Sequence, residues 1–432
     1  MSTSKMFAWV CAWGLALAAC AGTEGGNPLD ERDGGPIADG SLVCDDGGEL
    51  VRPTLCEPDD VSESCTCRAG DAAAFFEIAE GYGQRVRLYG PTSSGGFVAL
   101  HTHLCVGDCD LTRRATLTVR RFDGSGAALG APVEVTRSSA WVEQGAALEG
   151  DVLTLVFADE REGPSVASAL HFGRFDVATG TWLVEPRVAL PDAGFVTNVA
   201  LARSSEGYAV VFTRTHDTDA SQRGGFFVAL TPAGDVEGSV VAVAEDSGFD
   251  ASSVALASRA DGTLLGRWTA TSLEWVPLDA SGSVGTASAV VNVSGPTSGP
   301  SLVPVTGGFR AAWSDGSGLR VARLDATGAL IGTPTEVGHG RLEALVADAD
   351  GVVSLLWSPR VRCDEGVEEY QERVLTRLDT SGTRAHSDVL VHRGTGQTFD
   401  GSLVGTGGAL RGSVVTYGPS VSTAWTVPVC AP

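Results

Sequence analysis

Lysine is almost absent: Lys5 is the only one in 432 residues. Schiff-base and pyridoxal chemistry, the phosphate loop ending in Gly-Lys-Ser/Thr, and Ser-x-x-Lys acylation each need a lysine, so none can be housed beyond that position. G-x-S-x-G, H-E-x-x-H and G-x-G-x-x-G are missing too, which removes sequence support for an esterase elbow, a zinc-protease helix or a dinucleotide fold. No window shows a sustained helical period, and beyond the first twenty residues no apolar run is long enough for a membrane-spanning helix. Positive charge is scarce as well. Lys+Arg total 30 against 53 Asp+Glu, a formal net charge of -23 at pH 7. So acidic a surface repels phosphate backbones, and nucleic acid is excluded as a partner.

What is present begins with an export pattern. Lys5, an apolar run from Met6 to Ala18 and terminal small residues make residues 1–19 a signal peptide. Its removal deletes one positive charge, giving -23 - 1 = -24 for the mature form. Leu17-Ala18-Ala19-Cys20 resembles the lipobox of bacterial lipoproteins. The resemblance implies acylation of Cys20, attachment to the membrane through lipid alone, and a cell-envelope location. Ala21, standing where an Asp would imply inner-membrane retention, implies the outer membrane. Residues 20–43 are rich in Gly, Asp and Glu with few apolar side chains, the composition of a solvated tether.

Of ten cysteines, Cys11 leaves with the signal and Cys20 carries lipid. The other eight, Cys44, Cys56, Cys65, Cys67, Cys105, Cys109, Cys363 and Cys430, are disulfide candidates, because an exported protein matures in an oxidising compartment. Four of them make residues 44–70 a Cys-rich collar. Cys65-Thr66-Cys67 and the Cys105 to Cys109 pair lack the C-x-x-C spacing of zinc sites, so no metal is expected, nor any cofactor.

From residue 71 to 432 short apolar runs alternate with Gly-, Asp- and Ser-rich turns, an all-β pattern. One mark recurs six times, a strand ending in a turn: RRFDGSG, GRFDVATG, VALTPAG, VPLDASG, ARLDATG and TRLDTSG. Asp caps such a turn and Gly supplies positive φ, which makes each a hairpin. A second mark is an aromatic near the end of an apolar strand, at Phe157, Phe212, Trp268, Trp313, Trp357 and Tyr417, with His101 in the matching place. These seven positions are 56, 55, 56, 45, 44 and 60 residues apart. The count mismatch predicts that the last repeat lacks its outer strand and that Ala73–Ala79 supplies it beside Ser422–Val429. Closure of this kind resembles bacterial β-propeller domains. It implies a seven-bladed propeller of four-stranded antiparallel blades, the last closed by an N-terminal strand; an open stack or a pair of β-sandwiches is the alternative. Such pairing would also bring Cys430 near Cys65 and Cys67, so one of these is its expected disulfide partner.

The predicted inner strands, NVALA, SVALA, SLVPV, EALVA and SLVGT, begin with small or neutral residues except at Glu343. The segments after the aromatic are unequal: minimal at Thr269–Ser272 and Ser314–Gly318, long in LCVGDCDLTRR, ADEREGPS, RTHDTDASQRGG and SPRVRCDEGVEEYQER. A scaffold needs only a tight turn, so added length bearing charge marks a binding surface. Its candidate ligand-binding residues are Arg113, Arg114, Asp159, Glu160, Arg161, Arg214, His216, Asp217, Asp219, Arg360, Arg362, Asp364, Glu365 and Tyr370. His101 and His103 suggest a metal pair, but His101 occupies a packing position. The reading is a monomeric, non-catalytic binding module for a protein or glycan. The alternative is a glycan hydrolase or lyase with Glu343, Asp217 or Glu365 as acid and base.

Overall fold

The computed structural model describes residues 55–56, 76–81, 84–104, 115–138, 142–159, 168–214, 223–244, 254–260, 262–269, 271–279, 281–292, 298–315, 317–348, 351–363, 366–369, 372–385, 388–393, 398–406, 409–417 and 422–429. The chain divides into two units between Leu42 and Val43, and every described residue belongs to the second. Among them there are strands and no helix.

Two strands, β1 (Leu55–Cys56) and β2 (Phe76–Gly81), precede the first complete sheet. That sheet is β3 (Gln84–Tyr89), β4 (Phe97–Leu104), β5 (Ala115–Phe122) and β6 (Val133–Ser138), paired in chain order. The second is β7 (Glu143–Glu149), β8 (Val152–Asp159), β9 (Ser168–Asp176) and β10 (Thr181–Gly194); the third is β11 (Val196–Arg203), β12 (Tyr208–Arg214), β13 (Gly224–Leu230) and β14 (Val236–Ala244). The fourth is β15 (Val254–Arg259), β16 (Gly262–Trp268), β17 (Ser272–Leu278) and β18 (Ala289–Asn292); the fifth is β19 (Ser301–Val305), β20 (Gly308–Asp315), β21 (Gly318–Asp325) and β22 (Thr335–Gly338). Next come β23 (Gly340–Ala347), β24 (Val353–Cys363), β25 (Gly366–Glu369), β26 (Glu372–Leu378) and β27 (Asp388–Arg393), and finally β28 (Thr398–Thr406), β29 (Ala409–Tyr417) and β30 (Ser422–Val429).

This is an all-β propeller of four-stranded antiparallel blades, and it corrects the expected count of seven such blades to six. Six sheets are four-stranded; the sheet between the fifth and the last has six strands. Its β23, β24, β26 and β27 pair antiparallel like any blade. Two additions enlarge it. β24 runs on past Trp357 to Cys363 and folds back as β25, while β1 lies parallel to β27 at the outer edge, Leu55 opposite Asp388. The last blade is closed as the repeat count predicts: β2 pairs antiparallel with β30, Phe76 opposite Thr426 and Gly81 opposite Ser422, starting three residues later than Ala73. Cys56 and Cys363 lie on β1 and β24, but their side chains, like Cys20 and the six remaining disulfide candidates, fall outside the described residues.

The core lies between sheets rather than inside any one of them. Each hydrophobic cluster draws on two ring neighbours: Val98 and Leu117 of the first sheet meet Leu155 and Phe157 of the second, and Val156 and Phe172 meet Val210 and Phe212 of the third. At the closure Val404 and Val415 of the last blade meet Val86, Leu88 and Phe97 of the first. A middle strand is thus covered on both faces, which is why β20, GFRAAWSD, is buried throughout and shows no polar alternation.

Turn chemistry fixes the blades against one another. All six recurring turns join a third strand to a fourth. At Asp325 the carboxylate accepts the backbone N–H of Thr327 (2.8 Å) and Ala329 (2.9 Å), and Gly328 takes φ 86°. The turn packs onto the preceding sheet so closely that a Cβ on Gly234 would lie 2.1 Å from the Phe172 ring. Arginines from that sheet bond the turn: Arg121 donates to the Val177 carbonyl (3.0 Å), Arg310 to Thr380 (2.6 Å), and Arg411, across the closure, to Gly124 (2.9 Å). The second mark falls on second strands, where Phe157, Phe212, Trp268, Trp313 and Trp357 are fully buried and His101 is 5% exposed.

Candidate binding face

A four-stranded meander sends its first-to-second and third-to-fourth turns to one end and its second-to-third and inter-sheet connections to the other. The first end, the turn face, is rich in hydrogen bonds. The carboxylates of Asp123, Asp279, Asp325 and Asp379 are held below the usual carboxylate range, chiefly by a neighbouring Ser or Thr hydroxyl, with backbone N–H groups adding to it.

The second end, the loop face, is uneven. Between β16 and β17 only residues 269–271 intervene, tied by the Thr269 hydroxyl to the Ser272 N–H (3.0 Å). Between β20 and β21 there are two, with the buried Asp315 carboxylate accepting the Ser317 N–H (2.7 Å) and facing Arg320 at 3.3 Å. By contrast β4 and β5 are separated by 105–114, β8 and β9 by 160–167, and β12 and β13 by 215–223.

The predicted site residues distribute as follows. Arg113, Arg114, Glu160, Arg161, His216, Asp217, Asp219, Asp364, Glu365 and Tyr370 lie outside the described residues. Asp159 ends β8, and Arg360 and Arg362 lie on β24, so part of the segment expected as a loop after Trp357 is strand. Arg214, the last residue of β12, is half-buried. Its Nε donates to the Ala193 carbonyl and its guanidinium sits 4.4 Å from the Phe226 ring centroid, while burial lowers its pKa. It joins β12 to the end of β10.

Glu343, the one acid at the head of a predicted inner strand, is engaged inside the fold. Its Oε2 lies 2.7 Å from Nε of Arg373, a pair with side chains 4% and 2% exposed, and its Oε1 accepts the Ser358 hydroxyl (2.5 Å). Gly401 of β28 leaves the room for it: a Cβ there would lie 2.0 Å from Oε2. Sequence reasoning missed both partners, since Arg373 and Ser358 bracket the segment read as a loop. A carboxylate so bonded is a structural ion pair and is poorly suited to proton transfer.

His101 and His103 stack with ring centroids 6.0 Å apart. Burial, then the charge of Arg120, then His103, lower the His101 pKa to about 3, and burial also lowers that of His103. Both imidazoles are therefore neutral at pH 7. Among the described residues no three His, Cys, Asp or Glu side chains are grouped to hold a metal ion.

The ring of sheets defines a β-propeller domain. No protein-family model matches the chain, and no curated protein matches it either. Among solved structures it is similar to a prolyl endopeptidase, with 14% identity over 80% of this chain and 50% of that one and a TM-score of 0.44. It is also similar to the Dos1 propeller, with 10% identity over 84% of this chain and 95% of that one and a TM-score of 0.46. With U3-55K the identity is 11% over 83% of this chain and 99% of that one, at a TM-score of 0.48. The chain thus spans half the length of the prolyl endopeptidase.

Proposed function

We propose that the chain is an envelope-anchored, non-catalytic binding module, held at the outer membrane by lipid on Cys20, which takes a protein or glycan ligand on its loop face. The six-stranded sheet serves in this reading as a seventh blade. One observation carries the proposal: on a single face, connections of two or three residues in the fourth and fifth sheets stand beside connections of eight to ten in the first three. A fold that closes its blades with two residues does not need ten, so the extra length is available for recognition. The buried Glu343–Arg373 pair favours binding over the hydrolase or lyase alternative, because it removes the first named carboxylate from acid–base work.

Capture from envelope extract tests the binding role. The detergent-solubilised full-length protein should retain a partner that is lost when residues 105–114 and 160–167 are both replaced by the Thr269–Ser272 turn; undiminished capture would exclude the loop face. Cys20→Ser should release the protein from membranes or block its processing. Equal retention of variant and wild type after a salt wash rules the anchor out.

A further inference from the structure

The first and second sheets meet through one row of side chains from each. Cross-strand partners point to the same side of a sheet. In the first sheet Arg85, Thr102, Leu117 and Thr136 form such a row across β3 to β6. In the second, Gln144, Phe157, His171 and Val188 form another across β7 to β10. Leu117 and Phe157 belong to the same core cluster, which puts these rows on the faces that meet. Gln144 is the second residue of β7 and Thr102 the third from the end of β4, so both stand close below the loop face.

Two members of these rows are anomalous. Gln144 is 6% exposed and Thr102 fully buried, yet neither amide atom of Gln144 nor the Thr102 hydroxyl has a hydrogen-bond partner. A buried polar group without a partner destabilises the fold, and an amide that is neither donating nor accepting does so through both ends. Elsewhere the fold meets this demand in places, as where the buried Trp357 indole N–H reaches the Thr376 hydroxyl at 2.9 Å and Thr154 reaches the Tyr208 hydroxyl at 3.0 Å. Single atoms are unmatched at other positions too, among them the indole N–H of Trp268, Trp275 and Trp313, but among the described residues Gln144 alone is unmatched at both ends of its side chain. Groups that a fold leaves unmatched near a recognition face are groups reserved for something else.

We propose that Gln144 and Thr102 are the floor of a binding site between the first and second sheets for a neutral, sugar-like molecule that offers hydroxyl or carboxamide groups. This deepens, and rests on, the reading of the loop face as the binding face. The class of ligand follows from the groups. An amide presents a donor and an acceptor side by side, a hydroxyl presents both in one atom, and neither carries charge. Arg85, the cation of the row, is already engaged. The phenyl ring of Phe157 stacked on the His171 imidazole, with centroids 5.0 Å apart, supplies a rigid apolar wall beside them.

The full-length protein should be titrated with N-acetylglucosamine, which carries hydroxyls and a carboxamide without charge, and with glucosamine and gluconate as cationic and anionic counterparts. The expected result by calorimetry is saturable binding of the neutral sugar, at least tenfold weaker for both charged ones. Gln144→Leu keeps the bulk and removes both unmatched atoms, so its melting temperature without ligand should equal the wild type's or exceed it by about 1–2 °C. Its affinity for the neutral sugar should fall at least tenfold, and Thr102→Val should weaken it in the same direction. No saturable binding by the wild type, or undiminished binding by Gln144→Leu, overturns the proposal. A lower melting temperature for Gln144→Leu overturns it too, because the amide would then be bonded in the free protein. Failure here with partner capture intact removes only this site; loss of the loop-face dependence of capture removes the underlying reading.

Discussion

His101 should make the protein acid-sensitive in a way that one substitution abolishes. Its folded-state pKa is about 3, set first by burial, then by the charge of Arg120 and by His103, against an ordinary value of 6.5. Between those values the unfolded chain binds the proton and the folded one does not. Stability present above pH 6.5 is therefore lost as pH falls toward 3, at about 1.4 kcal/mol per pH unit. At pH 5 the group lies 1.5 units below 6.5, so the loss from this residue is about 2 kcal/mol. Phenylalanine belongs at this position by the logic of the ring, since Phe157 and Phe212 occupy the matching places of the next two sheets at 1% and 0% exposure. His101→Phe should thus remove about 2 kcal/mol of the stability difference between pH 7 and pH 5, and change stability at pH 7 by less than about 1.5 kcal/mol, as a swap of near-equal volume does.

Urea unfolding of both proteins at pH 7, 6 and 5 measures this directly. The other six histidines are common to the two chains, so the difference between their slopes isolates His101. Parallel slopes would refute the argument: they would mean that the folded imidazole takes up its proton near 6.5 and that the site is not the apolar packing position the aromatic marks define.

Three further outcomes follow from the same packing. Arg373→Met leaves the Glu343 charge buried and uncompensated and should cost about 3–5 kcal/mol in denaturant unfolding, whereas Glu343→Leu with Arg373→Met should recover most of it; an additive double variant would show that the pair is not coupled. Gly234→Ala places a Cβ 2.1 Å from the Phe172 ring at φ 88°, so a loss of at least about 2 kcal/mol is expected, and a variant as stable as wild type would mean that the turn does not dock there. Deleting residues 76–81 exposes the edge of β30 and should give dimers or aggregates on size exclusion, while an unaltered monomer with the same melting temperature would contradict closure by β2.

The parts of this fold that repeat were legible, because repetition turns weak local signals into a count. One Asp-x-x-Gly turn says little; six of them against seven aromatic positions implied a missing outer strand, and β2 beside β30 is that strand. The six-stranded sheet was not legible, for a physical reason. β1 is two residues long, and its pairing with β27 is decided by backbone hydrogen bonds that impose no alternation on the sequence. β25, GVEE, has one apolar residue in four, so nothing in its pattern marks it as strand. The same blindness hid the partners of Glu343. Its isolation at the head of an apolar strand read as availability, but Arg373 and Ser358 reach it only because β24 and β26 are paired.

The difference between the two faces says where function can be accommodated in such a ring. At the turn face several blades are tied to the one before by an arginine on a turn carbonyl, as with Arg121, Arg310 and Arg411, and the Asp side chains of the turns are consumed by their own backbone. Any ligand there would have to displace bonds that hold neighbouring blades in register, so binding would act against folding. At the loop face the fourth and fifth sheets show that a blade is complete with a two- or three-residue turn. The connections of the first three sheets exceed that length, and Gln144 and Thr102 near that end are unmatched within the fold. Binding at that end can therefore relieve a cost that folding leaves outstanding, which favours the loop face over the turn face for the proposed recognition.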